Sequence, residues 1–236
     1  MLKNKYFCIA VFAACLWLFF CCKKNDVQDF LVHSQNENAV MLAVQSGNCG
    51  VLRELLQDGQ KPDAFSSGRI TPLMWACRCG NLKQAKLLIK YGADLDLESS
   101  EGITSFEYAC ISKNLSLVRF LLKFNPDINH FNKGDMTPLM TASAQNFSAL
   151  AKLLIKKGAD VNLQNSNGDT ALMFSIYANS SKTTTLLLKN GADPFIKNND
   201  GLSAFDIAGK TELKQKKSAN AAECCRRRCT CGQKVI

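Results

Sequence analysis

"TPLMWACRCGNLKQAKLLIKYGADLDL", Thr71 to Leu97, returns further along the chain as "TPLMTASAQNFSALAKLLIKKGADVNL", Thr137 to Leu163. The two copies belong to a 33-residue period that runs through most of the sequence. Thr71, Thr104, Thr137, Thr170 and Ser203 fall on it, and so do Gly59, Gly92, Asn125, Gly158 and Gly191. Markers that keep register five times define an internal repeat, the signature of stacked supersecondary units. Within a unit the chemistry reads helix, turn, helix. Pro72 and Pro138 suit a first helical turn, where the missing N–H costs nothing, and the threonine before each caps it. Leu73, Ala76 and Cys77 share one helical face, as do Leu139, Ala142 and Ser143. Gly47-Asn48 and Gly80-Asn81 end a first helix. The pairs Leu87/Leu88, Leu121/Leu122, Leu153/Leu154 and Leu187/Leu188 anchor a second helix, which Gly92, Gly158 and Gly191 stop. "SNGDT" (166–170) and "NDGLS" (199–203) supply Asn-Gly and Asp-Gly turns for short hairpins between units.

A period of this length, opened by T-P-L and closed by L-L-x-x-G-A-D, resembles the ankyrin repeat. The resemblance covers residues 36–217 and implies an all-α solenoid of about six helix-turn-helix units with short β-hairpin connections. The units are 36–68, 69–101, 102–134, 135–167, 168–200 and a truncated 201–217. The first and last are atypical, as the water-facing ends of a solenoid require. The family's histidine after T-P-L is replaced by Met74, Glu107, Met140, Met173 and Asp206, so hydrogen bonding by that imidazole is lost and methionine packing takes its place in three units. The third unit, "TSFEYACISKN" (104–114), lacks proline and carries Pro126 after Asn125, which predicts local irregularity. Trp75, Tyr108 and Phe174 fall at one position, read as core between repeats.

The resemblance implies a non-catalytic protein that binds another protein through its concave surface. By position in the repeat, the candidate partner-binding residues on the first helices are Arg78, Cys79, Ile111, Ser112, Gln145 and Tyr177. The connector tips add Arg69, Glu101, Ile103, Lys133, Asp135 and Asp169. No nucleophile elbow, phosphate loop or H-E-x-x-H motif occurs, and no cofactor is expected. His33 and His130 have no partners at metal-ligand spacing, and His130 reads as a solvent-facing loop residue. Cys77 and Cys110 replace alanine and read as small packed residues.

The charge of +9 is uneven. Residues 210–236 hold eight Lys/Arg against two Glu, giving +6 and leaving +3 on the other 209 residues. A basic tail without interleaved aromatics favours anionic lipid or an acidic partner and excludes nucleic acid as the expected ligand. At the other end, Lys3 and Lys5 precede the uncharged apolar run Tyr6–Phe20, the layout of a signal peptide. The stretch "LFFCCKKND" (18–26) resembles a bacterial lipoprotein signal, which implies lipidation of Cys22, with Cys21 as the alternative. Cys15 has the better small residues before it but would leave Leu16–Phe20 at the start of the mature chain. Phe19 and Phe20 depart from the small residues such signals carry, so an uncleaved signal-anchor stands beside cleavage.

The resulting organisation is signal 1–21, linker 22–35, repeats 36–217 and a basic cysteine-rich tail 218–236. The expected protein is a membrane-tethered adaptor on the extracytoplasmic side of a bacterial membrane, or, with an uncleaved anchor, one facing the cytoplasm. The rival reading takes the repeats as a scaffold for metal or redox chemistry at Cys224, Cys225, Cys229 and Cys231. Arginine beside those thiols lowers their pKa, although their C-C-x3-C-x-C spacing is not the paired C-x-x-C of a zinc site.

Overall fold

A computed structural model describes residues 39–209, so the signal segment with Cys21 and Cys22, the linker, and the tail with its four cysteines lie outside the described residues. The chain divides between Thr141 and Ala142 into two compact units.

The first unit contains α1 (Ala39–Gln45), α2 (Cys49–Gln57), α3 (Pro72–Arg78), α4 (Leu82–Lys90), α5 (Ser105–Ile111) and α6 (Leu115–Leu121). One 3-10 turn, Ser67–Arg69, precedes α3, and a second, Leu122–Phe124, follows α6. Helix α7 (Pro138–Ala144) carries the chain into the second unit, which holds α8 (Ser148–Lys156), α9 (Ala171–Tyr177), α10 (Ser181–Lys189) and a last helical stretch at 204–209. Helices pair in sequence order, α1 with α2, α3 with α4, α5 with α6 and α9 with α10, and like helices of successive pairs also pack: α1 on α3, α3 on α5, α2 on α4, and α8 on α10.

The repeat markers are the atoms that start and stop these helices. Thr71, Thr104, Thr137 and Thr170 each accept the backbone N–H three residues on, at 3.1, 3.4, 3.2 and 3.4 Å, and Ser203 Oγ accepts that of Asp206 at 3.2 Å. Such a cap is worth about 1 kcal/mol. Second helices start at Asn48, Asn81 and Asn114, whose side-chain oxygens accept N–H groups of the first turn. Three positions recur along the repeats with a left-handed backbone, and Gly68 adds one outside these rows. One row is Gly47, Gly80, Lys113, Asn146 and Asn179; the next is Gly59, Gly92, Asn125, Gly158 and Gly191; the third is Arg69, Gly102, Asp135, Gly168 and Gly201. Only the spacing is strict, since asparagine, aspartate and even lysine and arginine stand in for glycine.

The core lies between helices. Leu73, Met74, Ala76, Cys77, Ala85 and Leu88 are fully buried in the first unit, as are Leu117, Val118 and Leu121. Burying a leucine this way stabilises by roughly 1.5–3 kcal/mol. Buried polar atoms are tied across repeats: Gln84 Nε2 donates to the Val44 carbonyl at 2.9 Å, and Asn114 Nδ2 to the Gly80 carbonyl at 2.8 Å.

Three expectations change. The connections contain no hairpin strands among the described residues, only single antiparallel bridges at Glu98–Thr104, Gln164–Thr170 and Lys197–Ser203. Each tip is closed instead by two backbone bonds within five residues, such as Ser99 N to the Ile103 carbonyl at 3.1 Å and Gly102 N to the Ser99 carbonyl at 2.9 Å. The methionine position is also not purely packing. Glu107 and Asp206 there accept the N–H of Thr104 and Ser203, both at 2.9 Å, completing reciprocal caps. Of the aromatic position, Tyr108 is buried while Trp75 and Phe174 are half-buried. The third unit is irregular as expected, its second helix cut to seven residues and finished by the 3-10 turn before left-handed Asn125.

Candidate partner-binding surface

In the repeats that open at Thr71, Thr104 and Thr170 the first helix is seven residues long, and its C-terminal end is less covered than its start. In the first unit this places Arg78 and Cys79 after α3, and Ile111 and Ser112 after α5, at the solvent edge: Cys79 is exposed, the others half-buried. The Arg78 guanidinium lies 5.4 Å from the Trp75 ring centroid, a cation–π contact that pre-sets its direction. In the second unit Tyr177 ends α9 and is 48% exposed, large enough in free area to anchor a partner. Gln145 is half-buried, and both polar atoms of its amide are buried with no hydrogen-bond partner. An incoming group that bonded them would remove that cost.

The connector tips are held edge to edge by backbone. Ser100 N donates to the Gly68 carbonyl at 2.8 Å and Lys133 N to that of Glu101 at 3.0 Å; in the second unit Asn199 N donates to that of Asn167 at 2.9 Å. Tips fixed this way hold their side chains on a rigid frame. Arg69 is exposed with its guanidinium 4.7 Å from the Phe65 ring, Glu101 is exposed, and Lys133 is exposed with Nζ donating to the Ser100 carbonyl at 2.7 Å. Asp135 and Asp169 are half-buried. Burial pushes the Asp169 carboxyl up, opposed by the bond from Asn198 Nδ2 at 2.8 Å. Ile103 does not belong to this surface. It is 9% exposed because Gly102 takes the tip and the next residue turns inward.

The sequence missed one cluster. His130 is not a plain loop residue: Nδ1 lies 3.1 Å from Glu107 Oε2 and Nε2 3.1 Å from Glu98 Oε1. Glu107 is buried, and its other oxygen accepts from Asn132 Nδ2 at 3.2 Å. Burial lowers the imidazole pKa, but the two carboxylates outweigh it and hold His130 above its ordinary value. Glu107 is itself pushed up, by burial first, against the Thr104 N–H, His130 and Asn132. A cleft of about 370 Å³ opens beside the ring, lined by Asp96, Glu98, Asp127 and Pro126 among others. The signal for this cluster was a pair of departures in one unit. His130 stands where Leu97, Leu163 and Ile196 stand in neighbouring repeats, and Glu107 where Met74, Met140 and Met173 do. Among the described residues no cluster of metal-ligating side chains exists, and the four tail cysteines lie outside them. Cys77 and Cys110 are buried, and burial pushes both thiols well up, as expected of packed residues.

Comparison with known proteins agrees with this geometry. The family model described as "Ankyrin repeats (3 copies)" matches residues 8–99, 40–132 and 106–198. The fold is similar to the ankyrin repeat domain of Bcl-3, described as a unique member of the IkappaB protein family. That match has 26% identity and a TM-score of 0.67, and spans 72% of this chain and 76% of that one. It is also similar to EF0377, an ankyrin repeat protein, at 29% identity and a TM-score of 0.69, spanning 78% of this chain and 96% of that one. No curated protein sequence matches significantly. The architecture is thus an all-α solenoid of a kind whose members generally bind other proteins, and the chain belongs to the ankyrin repeat family.

Proposed function

We propose that the protein is a non-catalytic adaptor, tethered to a membrane, that binds another protein through the first-helix ends and connector tips. The observation that carries the reading is the row of equivalent positions. Arg78 and Ile111 hold the same place in successive repeats of the first unit, and Tyr177 holds it in the second, each at the solvent edge of a helix whose other face is locked in the core. Arginine and tyrosine are the side-chain types that carry most interface energy, and helix ends already fixed by packing within each unit lose little order on binding. Fold alone does not name the partner.

The tether rests on the apolar run Tyr6–Phe20 and the Cys21-Cys22 pair, with the basic tail as a second attraction to anionic lipid. Lipidation at Cys22 puts the repeats on the extracytoplasmic side of a bacterial membrane. The tether is tested by the intact mass of protein extracted from native membranes without reductant. The expected species lacks residues 1–21 and carries acyl chains. A full-length, unacylated mass would replace the lipoprotein start with a cytoplasm-facing anchor.

A further inference from the structure

The second helices of the first unit carry a charge pattern that the partner-binding surface does not use. Arg53 on α2, Lys86 on α4 and Arg119 on α6 recur every 33 residues, and Lys90 and Lys123 repeat one helical turn further on. All five are exposed, and Lys83 adds a sixth cation on α4. Against them, α2, α4, α6 and the 3-10 turn hold one carboxylate, Glu54. None of these six cations takes part in an ion pair found among the described residues.

The helices present the cations together. Helix α2 packs on α4, and Lys86 Nζ stands 5.5 Å from the centroid of the Phe120 ring of α6. Aromatic rings sit among the charges. Phe120 and Phe124 meet edge-on at 5.3 Å, Phe124 is 45% exposed, and Lys90 Nζ lies 5.7 Å from the Tyr91 ring.

We propose that this outer-helix face docks on an anionic phospholipid bilayer. Protein partners are gripped by a few anchors desolvated in fitted pockets. Like cations at even repeat spacing, on long stems with apolar shafts, instead suit a laterally fluid field of phosphates, which needs no fitted shape. An exposed phenyl ring among them enters the headgroup boundary, where aromatic side chains are favoured. A basic face also supplies the second signal that turns a single lipid chain into a stable anchor. The inference goes beyond the tether, because it concerns the folded repeats, and uses that reading only for the presence of a membrane nearby.

The test is cosedimentation of the full-length protein with phosphatidylcholine vesicles, with and without phosphatidylglycerol. Phosphatidylglycerol is expected to tighten binding, and raised salt to cancel the gain. Substituting Lys86, Lys90 and Lys123 together by glutamine cuts that gain by roughly tenfold or more, since each cation near an anionic surface contributes severalfold. The same charge change at Lys61, Lys113 and Lys197 leaves it within about twofold, because none of the three lies on a second helix. Glutamine is a good helix former. Should the triple variant still lose helical signal by circular dichroism, Lys90→Gln alone reads the same face, with an expected loss of about threefold.

The proposal is overturned if the outer-helix variant keeps the gain, which the basic tail then carries, or if both triple variants lose it equally. It is also overturned if poly-glutamate binds through the three lysines while phosphatidylglycerol adds nothing, the result of an acidic protein partner. Failure of the unsubstituted chain to bind neutral vesicles counts against the tether alone, because the gain from phosphatidylglycerol is read separately.

Discussion

Replacing Gly168 by alanine is expected to destabilise the second unit by about 3 kcal/mol, far more than most surface substitutions. Gly168 has φ +74°, and a β-carbon there would lie 2.8 Å from Asn198 Cα and 3.0 Å from Asn199 N. Both are backbone atoms of the next connector, held by the Asn199 N–H bond to the Asn167 carbonyl, so neither can swing aside. The left-handed conformation costs an L-residue roughly 1–2 kcal/mol, and forcing a methyl group into closed packing adds about 1–3 kcal/mol. Gly201 is the control. Its φ is +72° but nothing lies within 4 Å of the position a β-carbon would take, so only the conformational cost of about 1 kcal/mol applies. Thermal unfolding of the two variants separates the causes: a drop near 6–12 °C is expected for Gly168→Ala, against a few degrees for Gly201→Ala, by the roughly 2–4 °C per kcal/mol of a chain this size. Equal drops would show that the connectors do not touch as described.

The second large effect is at His130. With His130 replaced by glutamine, Glu107 stays buried and keeps the Thr104 cap but loses its cationic neighbour. Removing one partner of a largely buried pair leaves an uncompensated charge, at a cost of about 2 kcal/mol at neutral pH. The pH dependence identifies the cause. His130 has a folded pKa above its ordinary 6.5, so its contribution is complete below that value and is lost as pH rises through the folded pKa. Glu107 has a folded pKa above its ordinary 4.5; the folded state binds the extra proton here too, and stability again falls as pH rises, in the window just above 4.5. Both groups slope the same way in adjacent windows. Denaturant unfolding from pH 5 to pH 9 is expected to show declining stability above 6.5 in the parent and a flatter line there in His130→Gln. A double substitution with Glu107→Gln recovers part of the loss, since the neutral amide still accepts from Thr104. A profile unchanged by His130→Gln would mean the ring does not bridge the carboxylates.

The fold was legible because the repeat writes its rules in residues that have one physical use. Thr71 and its equivalents are caps, Gly59 and its equivalents are stops, and the leucines between them are core. The closing of the connectors was harder to read. Asn-Gly and Asp-Gly suggested hairpins, yet the tips close over five residues, and the bonds between adjacent tips leave no strand to pair. Ile103 was misplaced for the same reason, since a tip that turns at Gly102 sends its follower inward. The His130 cluster is hidden in the sequence because neither departure explains itself alone. Glu107 without its histidine is a costly buried carboxylate, and His130 without its carboxylates is a polar residue in an apolar place. The fold of the third repeat closes their 23-residue separation, and only then does each explain the other.

An adaptor of this kind must meet its protein partner at the first-helix ends. A photocrosslinking side chain placed in turn at Arg78, Ile111 and Glu54, in the full-length protein on intact native membranes, tests this directly. Arg78 and Ile111 are at the ends of α3 and α5, while Glu54 is exposed on a second helix. The expected result is one protein adduct of the same mass from positions 78 and 111 and none from position 54. Adducts from position 54 with none from 78 or 111 would contradict it and move the binding surface to the other helices.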